Sequence, residues 1–552
     1  MATAKVNTVR TPLVFYSILA LLVLLPMLRP GYILTLDMAF TPTLRMPTGV
    51  TSSYLFNTTL HVLNFAIPSQ VLQKLLLFLI LILSGWGAHR LLKLAQAAPW
   101  RPGYEAWGAY LAGTIYMINP FTYGRFMAGQ YAVLLGYALL PSFVGASLKF
   151  FANPARRTAL QLAMWTVLVG VVSIHTLGLA AVVLVVQCGL ALFKYWGERK
   201  HLLTLAKYGL LTLAVFIVAS SYWLAPLVTG SNTQAQAITH FTTADRQAFA
   251  TLGGNTAGRI GHVLQLRGFW ADGRGLYTLP QHVLAMWPLA MIGLWVLAAT
   301  GVLAMWRRRQ RTVALLLLMS GAVAVAVASG GPDGWLATHL PLFSGYREPE
   351  KFVGLVVLTF ALFAGQAAAA TLGWAQRHAR QLLFNGAAMC CLLLPVVYTP
   401  TMFWGFAGQL TPREYPADWA LINSRLNSDS SSFKVLFLPW HLYMSFGFAG
   451  RIIVNPAPAY FDKPAIASNQ LEFNGASPTV PDPQKDVLTY HVLPAAPSGH
   501  QLGKQLSPLS VKYVLLAKDY DYRKYDYLNH QTDLVLVQET PHLKLYKVVY
   551  HG

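Results

Sequence analysis

Long apolar runs separated by short polar segments dominate the first 400 positions of the chain. Each run is about 20 residues long, the length that an α-helix needs to cross a bilayer. The region 158–193 is too long for one crossing, and we divide it at His175, where the segment SIHTLG interrupts the apolar residues. The pattern predicts eleven membrane-spanning helices. They are 12–29, 71–89, 104–118, 129–148, 158–173, 176–193, 203–224, 285–305, 312–329, 352–374 and 381–398.

Beyond Tyr398 the apolar runs become shorter and are rich in β-branched and aromatic residues, which is typical of strands. Residues 418–426, preceded by YPA, predict a short helix. The last two predicted strands are close enough together to form a hairpin. The predicted strands are 434–440, 511–520, 533–540 and 542–549.

The predicted fold class is therefore an α-helical polytopic membrane protein of about eleven transmembrane helices, followed by an α/β domain. We place the transmembrane domain at 1–398 and the α/β domain at 399–552. The transmembrane domain includes two long loops on the outer side, 30–70 and 230–284.

The basic residues indicate which side of the membrane each loop faces. The formal net charge is +21, but residues 400–552 are nearly neutral, with 13 Lys and Arg against 12 Asp and Glu. The other 28 basic and 8 acidic residues belong to the membrane part, where basic residues favour the cytoplasmic loops. With an odd number of spans, the amino terminus is predicted to be cytoplasmic and the α/β domain extracytoplasmic, in a multi-pass plasma-membrane protein. The positive charge is a topology signal, and no nucleic-acid partner is inferred from it.

The first outer loop contains one carboxylate, Asp37, among apolar and aromatic residues of the segment 30–47. A carboxylate held between a bilayer and a protein cavity is costly to ionise, so its presence favours a functional role. The alternative is that Asp37 caps a helix or pairs with Arg45 at the lipid headgroups. The following segment, 52–68, is amphipathic and predicts a helix lying in the membrane interface.

The outer loops also contain more arginine than topology requires. The segment INPFTYGRFMAGQ, 118–130, places Arg125 among aromatic residues at the tip between the third and fourth spans. Guanidinium groups bind phosphate oxygens in a bidentate way, which makes Arg125 a candidate phosphate ligand.

A second charged segment, PLFSGYREPEKF at 341–352, leads into the tenth span. Pro349 keeps the residue before it out of helical geometry, so Arg347 is predicted to lie in a turn at a helix start. Basic side chains at a helix amino terminus suit an anionic phosphate. The alternative is an internal salt-bridge cluster that only ends the helix.

These features together resemble the GT-C superfamily of membrane glycosyltransferases, which use polyprenyl-phosphate-linked sugars. The segments YGRFMAGQYAVLLGYALLP and FSGYREPEKF are similar to segments of bacterial arabinofuranosyltransferase-like membrane proteins. The resemblance covers most of the first 400 residues. It implies transfer of a sugar from a polyprenyl-phosphate donor to a glycan, lipid or protein acceptor of the cell envelope, on the outer face of the membrane.

The resemblance also implies roles for individual residues. The base of the family is a first-loop acidic residue, which in this chain is Asp37. Many members pair this acid with a second one that helps to hold a divalent metal, but neither PTLRMP nor NPFTYGRFMAGQ contains one. A divalent metal is therefore possible, but no second acidic ligand supports it and no metal site is assigned. The donor phosphate would be bound by basic residues, with three further charged residues in a second tier. The phosphate ligands are Arg347, Lys351, Arg125 and the weaker donor His175, and the second tier is Arg45, Glu348 and Glu350.

Two other functions remain open. A transporter of lipid-linked sugars usually has charged residues near the centres of its spans, whereas these spans have almost none apart from Lys207 near an inner end. A non-catalytic membrane protein that binds a glycan or a partner is compatible with the same pattern. The discriminating observation is whether Asp37 and Arg347 face one cavity.

Overall fold

The computed structural model describes residues 2–96, 104–230, 243–331, 339, 347–472 and 482–549. Helices form the part of the chain before residue 399, and a bundle of long helices is its main feature. In chain order, these helices are α1 Ala2–Leu24, α2 Tyr54–Asn64, α3 Ser69–Ala95, α4 Tyr104–Met117, α5 Pro120–Met127, α6 Tyr131–Ala152, α7 Arg156–Val172, α8 Ile174–Lys194, α9 Arg199–Val228, α10 Thr243–Ala248, α11 Thr256–Leu264, α12 Trp287–Arg307, α13 Arg311–Ser329, α14 Val353–Arg377 and α15 Gln381–Tyr398.

Each of the eleven predicted spans overlaps one long helix of this bundle. Nine helices among the described residues are long and apolar enough to cross a membrane, while α4 and α7 are shorter, with 14 and 17 residues. The break between α7 and α8 lies at Ser173, two positions before the predicted break at His175. Ser173 begins α8 by accepting a hydrogen bond from the backbone N of Thr176 at 3.3 Å. The chain is a multi-pass α-helical membrane protein.

Helix α14 forms the centre of the bundle, since 94% of the residues in its most apolar stretch are buried. Glycines let the neighbouring helices approach it closely. A side chain at Gly301 of α12 would collide with the backbone of Phe363, and one at Gly108 of α4 would collide with the backbone of Gly365. Small residues at such contacts are usual where membrane helices pack. Helix α14 therefore provides a rigid support for the charged segment that precedes it.

The segment predicted to lie in the membrane interface contains helix α2. Its side chains are mostly half-buried or exposed, and Leu60 is the buried one. It packs against α3 and α7 at one end of the bundle. The chain therefore folds back onto the helices after the first loop.

A five-stranded sheet organises the region after α15, and all four predicted strands are present. The sheet order is β4-β1-β5-β7-β6, in which β1 pairs in parallel with β4 and β5, and β7 pairs antiparallel with β5 and β6. A separate antiparallel pair, β2-β3, was not predicted from the sequence. The strands are β1 Lys434–Leu438, β2 Tyr443–Phe446, β3 Arg451–Val454, β4 Ala465–Ile466, β5 Val511–Ala517, β6 Leu534–Glu539 and β7 Leu543–Val548. The α-helices of at least four residues here are Phe403–Ala407, Ala417–Asn427, Ala457–Tyr460, Pro483–Val487 and Leu502–Leu506.

The β2-β3 pair packs onto the first loop of the helical bundle. Leu36 forms a parallel bridge with Ile453 of β3, and Arg451 donates a hydrogen bond from Nη1 to Oγ1 of Thr35 at 3.0 Å. Apolar residues of the first loop and of the sheet belong to one continuous core. The sheet region therefore contributes directly to the surroundings of the next residue in the loop, Asp37.

Candidate active site

The backbone around Asp37 is attached to the tip between α5 and α6. The backbone N of Asp37 donates a hydrogen bond to the carbonyl O of Ala128 at 3.0 Å. The next residue of the tip, Gly129, has a φ of +73°, and a Cβ there would lie 2.5 Å from the Cβ of Met38. Only glycine fits both this left-handed conformation and this close approach. The MAGQ sequence of the tip therefore holds the first loop against the bundle.

The Asp37 carboxylate accepts hydrogen bonds from two distant parts of the chain. The hydroxyl of Tyr443 donates to Oδ1 at 2.6 Å, and Nε2 of Gln130 donates to Oδ2 at 3.2 Å. Asp37 is accessible to solvent, but protein atoms surround its other sides. The resulting desolvation raises the pKa of Asp37 above its ordinary value, although the two hydrogen bonds lower it. An accessible carboxylate with a raised pKa is suited to accept a proton.

Helix α5 carries Arg125 into the protein interior. The helix begins sharply because Oδ1 of Asn119 accepts a hydrogen bond from the backbone N of Thr122 at 3.0 Å, and Pro120 occupies the first helical position. The Arg125 side chain is 1% exposed. Its guanidinium lies over the ring of Phe269, 4.4 Å from the ring centre. Arg125 is therefore buried. Its place at the tip between two spans had instead suggested a position at the membrane surface.

Both terminal nitrogens of Arg125 are used by protein groups. Nη1 contacts Oε2 of Glu348 at 3.0 Å and donates to Oε1 of Gln130 at 2.7 Å. Nη2 contacts Oε1 of Glu350 at 3.0 Å. Charge-assisted pairs of this kind are strong, and a buried one is costly to break. Arg125 therefore holds the tip of α5–α6 against the segment that leads into α14.

Glu348 is the second carboxylate of the site. It is non-helical, with φ −106° and ψ 74°, as predicted from Pro349, which starts a short 3₁₀ turn into α14. Nζ of Lys351 lies 3.5 Å from Oε2 of Glu348. Burial alone would raise the pKa of Glu348, but Lys351 and Arg125 lower it to about 2. Glu348 is therefore ionised at neutral pH, and part of the predicted charge cluster is an internal salt-bridge network.

Arg347 directly precedes this network in the chain and is only partly buried. Its guanidinium is 4.3 Å from the ring centre of Phe249. The acidic residues close enough to influence its charge are Glu348, Asp245 and Asp37. Arg347 and Asp37 thus belong to the same electrostatic environment, at the same end of the bundle.

His175 joins the same group from the start of α8. Its charged neighbours include Lys351, Glu348 and Arg125. The ring is partly buried. The four predicted phosphate ligands therefore come together, although they arise from three separate segments.

Arg45 lies elsewhere. Its Nη2 is 3.8 Å from Oδ1 of Asp462, in the sheet-containing region. Asp37 instead has Tyr443 and Gln130 as partners. The alternative in which Asp37 pairs with Arg45 is therefore wrong.

The donor set beside Asp37 does not fit a divalent metal. Gln130 lies between the two carboxylates, with Nε2 at 3.2 Å from Asp37 and 3.5 Å from Glu348. The Glu348 carboxylate is already neutralised by Arg125 and Lys351. Within the described residues, no group of three or more His, Cys, Asp or Glu side chains has a geometry that could hold a metal ion. Hard cations need several oxygen ligands, so no step of the chemistry is assigned to a metal.

Three residues near the site were not singled out in the sequence. Gln130 ends the MAGQ tip, and Tyr443 begins β2, whose four residues are too short to give a clear strand pattern. Asp272, in the loop before α12, accepts a hydrogen bond from the hydroxyl of Tyr277 at 2.7 Å. Burial raises the pKa of Asp272 to about 6 despite that bond and the charge of Arg267. The scarcity of acidic residues before residue 400 is the signal that could have drawn attention to Asp272.

The fold can be compared with solved structures. The cryo-EM structure of the arabinofuranosyltransferase AftD from Mycobacteria aligns with 98% of this chain at a TM-score of 0.64 and 15% sequence identity. The chain shares the fold of AftD. It spans 40% of the length of that AftD chain.

A structure of an AftD mutant aligns with 98% of this chain and 42% of its own, with 15% identity and a TM-score of 0.59. A crystal structure of ArnT from Cupriavidus metallidurans, bound to undecaprenyl phosphate, aligns with 99% of this chain and 98% of its own, at 14% identity and a TM-score of 0.48. No protein-family profile and no curated sequence match the chain. The fold is shared with AftD, while the sequences have diverged widely.

Proposed function

We propose that this chain is an inverting membrane glycosyltransferase that moves a sugar from a polyprenyl-phosphate donor to a cell-envelope glycan, lipid or protein acceptor. The observation that carries the proposal is the solvent-accessible Asp37 carboxylate, with its raised pKa, in the same environment as Arg347. The GT-C fold supports the same class of reaction. A fold alone does not determine activity, so the argument depends on these side chains.

Asp37 is the proposed general base. An acceptor hydroxyl attacks the anomeric carbon of the donor sugar, a new C–O bond forms, and the bond from that carbon to the phosphate oxygen breaks. The hydroxyl proton passes to Asp37, and the bonding electrons leave with the polyprenyl phosphate. A single displacement of this kind inverts the configuration at the anomeric carbon. Tyr443 and Gln130 support this role because they orient the carboxylate.

Arg347 is the proposed principal ligand of the leaving phosphate. The phosphate gains negative charge as the bond breaks, and a fixed cation in a water-poor site stabilises it. Arg347 is less buried than Arg125, whose terminal nitrogens contact Glu348, Glu350 and Gln130. We therefore propose that Arg125 holds the site together and does not itself bind the phosphate.

Lys351 and His175 are proposed as secondary phosphate ligands. Lys351 is 6% exposed and contacts Glu348, so a small rearrangement would be needed to free it. His175 lies beside the same charges from the start of α8. A neutral imidazole can donate one hydrogen bond to a phosphate oxygen.

The reaction is proposed to occur on the outer face of the plasma membrane. This side follows from the distribution of basic residues, which places the Asp37 end of the bundle away from the cytoplasm. The donor lipid would enter from the outer leaflet, and the acceptor from the side of the sheet-containing region.

The direct test is to incubate the purified full-length protein with a panel of polyprenyl-phosphate sugars and measure the release of free polyprenyl phosphate. We expect release with at least one donor when a cell-envelope acceptor extract is added. Asp37→Asn should abolish most of it. A protein that binds the acceptor glycan but releases no lipid phosphate with any donor would instead be a non-catalytic binding protein. Movement of an intact lipid-linked sugar across a vesicle membrane would indicate a transporter.

A further inference from the structure

A cavity of about 500 Å³ lies between α1, α3, α6 and α7, at the end of the bundle opposite Asp37. Asp37 contacts Gln130 at the start of α6, whereas the cavity is lined by the later part of this helix, from Pro141 to Lys149. On α3 it is lined from Trp86 to Leu94. Eight residues of helix correspond to about 12 Å, so the cavity is elongated along the helices.

The cavity lining combines a basic cluster with apolar and aromatic side chains, and it also includes the polar residues His89, Ser142 and Gln161. Arg90, Lys93 and Lys149 line it towards the cytoplasmic ends of α3 and α6. Within the described residues, no acidic side chain contributes to the lining. The guanidinium of Arg90 lies over the indole of Trp86, 4.5 Å from the ring centre, and Trp165 lines the wall formed by α7.

Small residues on α6 create the space for this cavity. Gly145 and Ala146 follow Ser142 by three and four positions, so both lie on the same face of the helix as Ser142. At Gly87, an added Cβ would lie only 3.3 Å from the Cβ of Pro141, so α3 and α6 meet closely at the inner limit of the cavity. The space is therefore closed at the middle of the bundle.

A second cavity, of about 320 Å³, adjoins the first and shares Leu94 and Lys149 with it. It lies between α3, α6, α8 and α13, and it is lined by a further cation, Lys194. Most of the remaining lining residues are apolar. The two spaces therefore meet at Leu94 and Lys149.

We propose that these cavities bind an anionic phospholipid of the membrane leaflet at this end of the bundle, the cytoplasmic leaflet in the predicted topology. Its phosphate contacts Arg90, Lys93 and Lys149, and an acyl chain extends along Trp86 and Trp165. Basic residues at the cytoplasmic leaflet attract anionic headgroups. The apolar wall and the closed inner end distinguish the site from one for a soluble anion. The site is separate from the proposed donor site.

The test measures binding of lipids to the purified full-length protein by native mass spectrometry and by thermal unfolding in a neutral detergent. The probes are phosphatidylglycerol, phosphatidylcholine with the same acyl chains, and glycerol 3-phosphate. We expect the wild type to bind phosphatidylglycerol most tightly. The triple variant Arg90→Gln, Lys93→Gln, Lys149→Gln should weaken that binding on the order of 100-fold, the value expected for three cations near a phosphate.

The matched control is Arg199→Gln, Lys200→Gln, Arg307→Gln, which removes three exposed basic residues that line neither cavity. This control should bind phosphatidylglycerol as the wild type does. If the triple variant fails to fold, Lys149→Gln alone should weaken binding roughly fivefold, since this side chain is exposed and one cation is removed. Ser142→Phe should block the acyl-chain part without changing the charge.

Equal binding of phosphatidylcholine and phosphatidylglycerol by the wild type would overturn the proposal. The proposal would also be overturned if the cavity variants and the control variant reduced phosphatidylglycerol binding equally. Binding would then depend on the general surface charge of the protein. Equal stabilisation by glycerol 3-phosphate would identify a site for soluble anions. None of these measurements uses a sugar donor, so their outcome is independent of the proposed glycosyltransferase activity.

Discussion

Tyr443 donates a hydrogen bond of 2.6 Å to Oδ1 of Asp37, although the two residues are 406 positions apart. Tyr443 begins a strand of the sheet-containing region, while Asp37 belongs to the first loop of the helical bundle. The bond lowers the pKa of a carboxylate whose surroundings otherwise raise it. The sheet-containing region therefore contributes a residue, Tyr443, to the proposed active site.

The first prediction concerns Asp37 as the base. Asp37→Asn keeps the shape of the side chain but removes its basicity, so turnover should fall by about 10²–10⁴. Donor binding and thermal stability should remain near wild type, because the side chain is solvent-accessible. Steady-state release of polyprenyl phosphate, combined with a thermal melt, measures both effects. Full turnover in Asp37→Asn with any accepted donor would exclude Asp37 as the base.

The second prediction concerns pH dependence and Tyr443. A general base must be deprotonated, so activity should fall as the pH decreases through the raised pKa of Asp37, above the range usual for aspartate. Tyr443→Phe removes a hydrogen bond that lowers this pKa, so the acid limb of the rate profile should move to higher pH. The exposed Tyr490→Phe serves as the matched control and should leave the profile unchanged. An identical acid limb in Tyr443→Phe and wild type would contradict the coupling.

The third prediction separates the phosphate ligand from the rest of the site. Arg347→Ala should weaken donor binding by about 1.5–3 kcal/mol, the usual contribution of a hydrogen bond to a charged group. A donor analogue without phosphate should bind wild type and Arg347→Ala alike. The control is Arg274→Ala, an exposed arginine whose guanidinium lies over Trp270. If Arg347→Ala binds the normal donor as tightly as wild type does, another residue holds the phosphate.

The fourth prediction treats Arg125 as a structural group. Arg125→Met removes the cation that contacts Glu348 and Glu350, so the buried Glu350 loses this ion pair while Glu348 keeps its contact with Lys351. Stability should fall by about 3–5 kcal/mol, as it does when one member of a buried ion pair is removed. Thermal unfolding in detergent measures the loss, and Arg274→Met should have little effect. A variant that melts like wild type but fails to bind donor would restore Arg125 as a direct phosphate ligand.

The fifth prediction is the topology. In a protein whose cysteines at 188, 390 and 391 are replaced by serine, single cysteines are introduced at Arg308 and at Asn529. A membrane-impermeant thiol reagent should label position 529 from the outside and position 308 only from the cytoplasmic side. Labelling of both positions from the same side would refute the predicted orientation.

The agreement between sequence and structure is best where the physical signal is local. A run of apolar residues needs only its own length to indicate a spanning helix, and all eleven predicted spans overlap helices. The break predicted at His175 lies at Ser173, because a serine that caps the next helix decides the boundary. The β2-β3 pair was missed since its four-residue strands carry too little periodicity to distinguish them from a loop.

The sequence by itself determined the helical membrane fold and drew attention to Asp37, because a lone carboxylate in an apolar loop is unusual in any arrangement of the helices. It also indicated that Glu348 precedes α14 in a non-helical turn, since Pro349 acts on its immediate neighbour. Only the tertiary structure decided that Arg45 pairs with Asp462 and that Asp37 is held by Gln130 and Tyr443. The physical reason is that these pairs join residues far apart in the chain, so their formation depends on how the loops and the sheet pack onto the bundle, and no local pattern encodes that packing.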